Sequence, residues 1–99
     1  MSVSTLTKIA KSCPNLVELN ISGCLTLGDH LLLMIAQKCQ SLKVLDISRC
    51  KYVTKDGLQS LAERAPGLRT LIAHHVVKRD NDFRQALLDR LPNINRLVL

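Results

Sequence analysis

The chain has 99 residues, a length that fits one domain. Hydrophobic residues supply 46% of it, enough for a packed core, but aromatics supply only 2%, so the core must be aliphatic and stacking on nucleic-acid bases is excluded as a working mode. The formal net charge of +6 admits an acidic partner surface, yet the basic residues are mixed with acids along the whole chain, as on a solvated exterior.

Taken in order, the chain begins polar and amphipathic. Ser4 is placed to cap a helix on which Leu6, Ile9 and Ala10 share one face. Residues 1–11 do not read as a secretion signal, and no apolar run approaches the ~20 residues of a membrane span. Pro14, after Cys13, blocks further helix and starts an extended segment. There Leu19 and Ile21 point one way, and Glu18, Asn20 and Ser22 the other. Gly28 and Asp29 open a second helix with Asp29 as its cap, and Leu31, Leu32, Ile35 and Ala36 form its apolar face. Leu33 and Met34 extend that face beyond what a helix with a wet side needs. They are either mild surface apolarity or a contact on the helix side.

The same order returns in the next stretch. Leu45 and Ile47 alternate with Val44, Asp46 and Ser48; Thr54 caps a helix; Gly57 allows close packing; and Leu58, Leu61 and Ala62 make the apolar face. A third stretch sets Leu71 and Ala73 against Thr70, Ile72 and His74, then departs from the pattern. His74-His75 replaces Ser-Gly or Ser-Arg, Val76 replaces a cysteine, and residues 77–82, Arg79 among them, make a more polar turn. Arg84 falls where Leu32 and Leu58 are core, so Phe83 is expected to fill that space, with Leu87 one turn on. Leu91 to Leu99 is a strand half in which Arg96 and Val98 alternate with Leu97 and Leu99.

These stretches align without a gap at a spacing of 26 residues: Leu16, Leu42, Leu68 and Ile94; Leu19, Leu45, Leu71 and Leu97; Ile21, Ile47, Ala73 and Leu99. A fixed period of this kind is the signature of a solenoid, because one strand–turn–helix unit cannot cover its own apolar face and stacked copies can. The expected fold is an α/β solenoid, a right-handed βα superhelix with a parallel sheet on the concave face and helices on the convex face. Its expected divisions are a half repeat over 1–12, repeats over 13–38, 39–64 and 65–90, and a terminal strand half over 91–99.

Cys13, Cys24, Cys39 and Cys50 all fall on repeat columns, eleven apart within a unit and without a C-x-x-C pair, so they are expected to be small buried thiols and not zinc ligands. Buried reduced thiols fit a reducing compartment, cytoplasm or nucleus. No catalytic set is legible: Ser22 and Ser48 are column residues with no acid–histidine pair beside them. His74 and His75, adjacent on a strand, are expected to point to opposite faces and not to share a metal, which leaves His74 as either a concave contact or a solvated side chain. Asp80 and Asp82 with Asn81 lack the glycine and distal glutamate of a calcium loop, and helix capping is the simpler reading. Gly23, Gly28, Gly57 and Gly67 are too scattered for a phosphate-binding loop, and no cofactor is expected.

The spacing resembles the cysteine-containing leucine-rich repeats, whose pattern is close to C-P-x-L-x-x-L-x-L-S-x-C-x-x-[IV]-T-D-x-G-L-x-x-L-A-x-x-C. Cys13, Pro14, Leu16, Leu19, Ile21, Ser22 and Cys24 match it in the first unit. Leu42, Leu45, Ile47, Ser48, Cys50, Val53, Thr54, Gly57, Leu58, Leu61 and Ala62 match it in the second. The resemblance implies a non-enzymatic protein-interaction module of the kind found in the substrate-binding halves of F-box proteins, with ubiquitin-ligase subunits or a substrate as partners. No F-box precedes the repeats in this chain, so that setting requires the segment on another chain or its removal.

The concave face is the expected protein-binding site. Its rows are Glu18, Val44, Thr70 and Arg96; Asn20, Asp46, Ile72 and Val98; and Ser22, Ser48 and His74. Both end strands are expected to be bare, which makes the alternative a fragment, or a structural subunit or assembly factor docked by its ends in a larger multiprotein complex.

Overall fold

The computed structural model describes residues 2–78 and 80–99. The expectations that involve Met1 and Arg79 lie outside the described residues. Four helices alternate with four short strands: α1 (Val3–Ser12), β1 (Glu18–Asn20), α2 (Asp29–Lys38), β2 (Val44–Asp46), α3 (Lys55–Arg64), β3 (Thr70–Ile72), α4 (Asn81–Arg90) and β4 (Arg96–Val98). The strands form one parallel sheet in the order β1-β2-β3-β4. Its register follows the 26-residue columns: Leu19 pairs with Leu45, Leu45 with Leu71, and Leu71 with Leu97. Each helix packs on the next, so the molecule is two layers, sheet and helices, with one aliphatic core between them.

The middle residue of each strand is the one that turns inward. Leu45 and Leu71, with strands on both sides, are fully buried, while Leu19 and Leu97 keep 8% and 6% of their surface. Burial thus rises wherever a unit has a neighbour on each side, as nearest-neighbour stacking requires. Ile21, Ile47, Ala73 and Leu99 extend the core past the strands, and Phe83 is buried at the end of the stack where Arg84 is exposed.

Cys24, Cys39 and Cys50 are buried as expected, and the thiols of Cys39 and Cys50 join neighbouring units. Cys50 Sγ donates to the Ile21 carbonyl at 3.3 Å, and Cys39 Sγ to the Cys13 carbonyl at 3.6 Å. Burial pushes both thiols above their ordinary range. Cys13 is the correction: it is exposed, because among the described residues no unit is stacked on its outer side to cover the thiol.

Two expected caps are also corrected. The first helix begins earlier than Ser4: Ser2 is the cap, its Oγ accepting from the Thr5 N–H at 3.2 Å. In α2 the capping position is Gly28, and Asp29 is drawn away to the next unit. There Asp29 Oδ1 accepts from the Thr54 N–H at 2.9 Å and Oδ2 from the Thr54 hydroxyl at 2.5 Å. Thr54 caps α3 as expected, accepting from the Gly57 N–H at 3.2 Å. A relay therefore runs from Gly57 through Thr54 to Asp29 and ties two helix starts together. One unit on, the arrangement recurs with other residues: Lys55 Nζ donates to Asp80 at 3.1 Å while Asp80 caps α4. The hydrogen bond from Lys55, then those from the backbone N–H groups of Phe83 and Asp82, hold the Asp80 carboxyl below the usual carboxylate range.

Gly57 is needed by this relay, since a Cβ there would fall on the Asp29 carboxylate. Alanine is otherwise favoured over glycine inside a helix by about 1 kcal/mol. Gly57→Ala is expected to destabilise the chain by about 1 kcal/mol in urea unfolding, the displaced carboxylate outweighing the helix preference. In an Asp29→Ala background the same substitution is expected to stabilise by about 0.5–1 kcal/mol. Stabilisation in both backgrounds would mean that the close approach does not exist.

Candidate protein-binding face of the sheet

The face of the sheet opposite the helices carries the side chains that alternate with the buried leucines. Parallel pairing sets them in rows across the strands. Glu18, Val44, Thr70 and Arg96 make the first row, and Asn20, Asp46, Ile72 and Val98 the second. Ser22, Ser48 and His74 lie in the turns just beyond the strands. The structure therefore brings together the residues that the alternation placed there.

Their duties differ. Asn20 Oδ1 accepts from the Ser22 N–H at 3.1 Å, and Asp46 Oδ1 from the Ser48 N–H at 3.0 Å. Both side chains thereby hold the turn that leaves the strand, as Asn and Asp do in Asx turns. Ser48 Oγ accepts from the His74 N–H at 3.1 Å and stitches that turn to the next one. Strand alternation sets these residues facing outward but does not by itself disclose this structural work. The signal for it was present, since Asx residues two before a tight turn favour this bond.

What the face offers a partner is then the remainder. Val44, Ile72 and Val98 are half-buried and form an apolar strip with Thr70 beside it. Glu18 and Arg96, both exposed, stand at its two ends. A narrow apolar strip bordered by opposite charges can bury methyl groups at its centre and pair charges at its rim.

His74 and His75 need a correction. They do not point to opposite faces, because they sit in the turn after β3 and not on the strand. Their rings lie 4.0 Å apart between centroids, tilted by 33°. The cause is the backbone of His75, which is left-handed at φ 60°. Arg49 at 61° and Gly23 at 72° hold the same column of the other units. The turn demands that conformation in every repeat, and only the first supplies the glycine that makes it easy. No group of three or more His, Cys, Asp or Glu placed to hold a metal occurs among the described residues.

On the helix side, Leu33 and Met34 are half-buried against the core and line a shallow groove with His30, Gln37 and Arg64. No helix among the described residues is long and apolar enough to cross a membrane.

Short parallel strands backed by one layer of helices, repeating every 26 residues with a leucine at each strand centre, define an α/β leucine-rich-repeat solenoid. Residues 38–62 match the family model for the Leucine Rich repeat. Eighteen chains of solved structures are similar to this one. Among them, the tropomodulin C-terminal domain of Caenorhabditis elegans aligns with a TM-score of 0.60 at 11% identity, over 100% of this chain and 83% of that one. At that identity the likeness concerns the fold alone. No curated protein matches the sequence.

Proposed function

We propose that this chain is a non-enzymatic protein-recognition module that takes its partner on the open face of the sheet. The half-open strip of Val44, Ile72 and Val98 between Glu18 and Arg96 carries this reading, because it is the part of the face that the fold itself does not use. Its fuller setting is the substrate-recognition part of an F-box ubiquitin ligase, an intracellular role. Support for that comes from the cysteine-containing repeat pattern of residues 13–62 and from the matched repeat at residues 38–62. A second reading, a structural subunit held by its ends, is favoured by Val17, which is 47% exposed beside the free edge of β1.

One pair of substitutions tests the first reading. Ile72→Arg with Val98→Glu removes two of the three apolar side chains of the strip while leaving opposite charges across neighbouring strands from Asp46 onward, so the sheet is expected to hold. The variant is expected to lose partner binding by about 2 kcal/mol or more, roughly thirty-fold. Gln85→Lys on the helix side is expected to change nothing. Full binding by the first variant, or capture by a photocrosslinker at Val17 and not at Ile72, would favour the end-docked subunit. Ubiquitin transfer to the captured protein, dependent on this chain, separates the ligase setting from plain binding.

A further inference from the structure

The two outer strands differ in what covers their free backbone. The carbonyl of Val17 accepts from Lys43 and Val44, that of Lys43 from Arg69 and Thr70, and that of Arg69 from Asn95 and Arg96. Each of these carbonyls points from one strand towards the next. Two residues on, a strand presents the same side again. The carbonyls of Leu19, Leu45, Leu71 and Leu97 therefore share that direction, and among the described residues no strand pairs with the outer side of β4.

Arg84 stands in for one. Its Nη1 donates to the Leu97 carbonyl at 2.8 Å. Its column holds Leu32 and Leu58 in the other units, both fully buried. With Asp80, Asn81 and Leu97 to Leu99 it lines an open cleft of 310 Å³ at this end of the stack. A leucine at this place would continue the apolar face towards another unit, whereas the arginine gives a charge and a donor to the strand edge. At the other end of the stack, Val17 beside β1 and the Cys13 side chain are exposed.

We propose that Arg84 is a stop residue: by occupying one of the outward pairing acceptors of β4, the Leu97 carbonyl, it keeps a second copy of this chain from adding its β1 to that edge. Three features of the two ends suit such an addition. Glu18 and Asn20 lie on the side of β1 away from β2, since Val17, Leu19 and Ile21 face β2. Continued at the same register, the first row would run from Arg96 to Glu18 of the second copy, an opposite-charge pair across strands. Leu97 would meet Leu19, and both keep residual exposure that their inner counterparts lack. A head-to-tail contact of this kind does not close on itself and builds a chain of copies. A charged side chain over the edge is a common protection against that outcome.

Sedimentation equilibrium over a range of concentrations tests this, with circular dichroism to confirm folding. The unaltered chain is expected to hold the mass of one copy. Arg84→Leu is expected to stay folded while its mean mass climbs with concentration past twice that value. Arg84→Leu with Glu18→Pro is expected to return to one copy, because proline at the first residue of an edge strand is tolerated by the fold but removes an outward N–H. If Arg84→Leu does not fold, Arg84→Ala is read by the same two measurements. A folded Arg84 variant that remains a single copy, association that survives the proline, or association of the unaltered chain would each overturn the proposal.

Discussion

Leu45→Ala is expected to destabilise the chain by about 2–5 kcal/mol. Leu45 is the centre of β2, fully buried, with Leu19 on one side in register and Leu71 on the other. Its truncation removes transfer energy and leaves a cavity that the adjoining strands cannot close without breaking their ladders. Against a typical domain stability of about 5–15 kcal/mol this is a large fraction, and the Tm is expected to fall by about 10 °C or more. Leu25→Ala is the control. Leu25 is 59% exposed in the turn after β1, and its truncation is expected to stay within about 0.5 kcal/mol. Equal effects of the two substitutions would contradict the stacking of the units.

Phe83→Ala is the second large effect, at about 3 kcal/mol. Phe83 occupies the column of Leu31 and Gly57, is 6% exposed, and fills the volume from which Arg84 has been turned out. Lys55 Nζ lies 5.4 Å from the ring centroid, a contact on the surface side that adds little. Full burial of an aromatic ring is worth about 3–5 kcal/mol on truncation, and the lower end applies because an outermost helix can relax inward. Phe83→Leu keeps most of the volume and is expected to cost less than about 1.5 kcal/mol. In a stack of this kind α4 can also part before the rest, so a reduced urea m-value in Phe83→Ala is expected along with the lower midpoint. An unchanged midpoint would mean that the third unit is not packed as described.

The strand register and the helix order were legible in the sequence because large aliphatic residues hold their columns through all four strands. The core demands that repetition, and nothing local competes with it. The caps were harder to read. Ser2 and Ser4 can each cap the first helix, and the sequence at that point does not separate them. Asp29 has the chemistry of a cap, yet it is recruited by Thr54 from the next unit, a partner that no local pattern reveals. The His74-His75 stack escaped because the left-handed turn that produces it is marked by glycine only at Gly23. The rows of the sheet face followed from alternation, while the turn-holding roles of Asn20, Asp46 and Ser48 depend on backbone geometry beyond the strands. Arg84 was visible as a break in a leucine column, but its acceptor, the Leu97 carbonyl, was not.

The stacking of units at a 26-residue spacing is open to a direct reading by nuclear Overhauser contacts in solution. Cross-strand contacts are expected from Leu19 to Leu45, from Leu45 to Leu71 and from Leu71 to Leu97, with Glu18, Val44, Thr70 and Arg96 linked in the same order. Contacts that paired these strands antiparallel, slipped the register by one residue, or joined β1 to β3 or β4 would contradict the account.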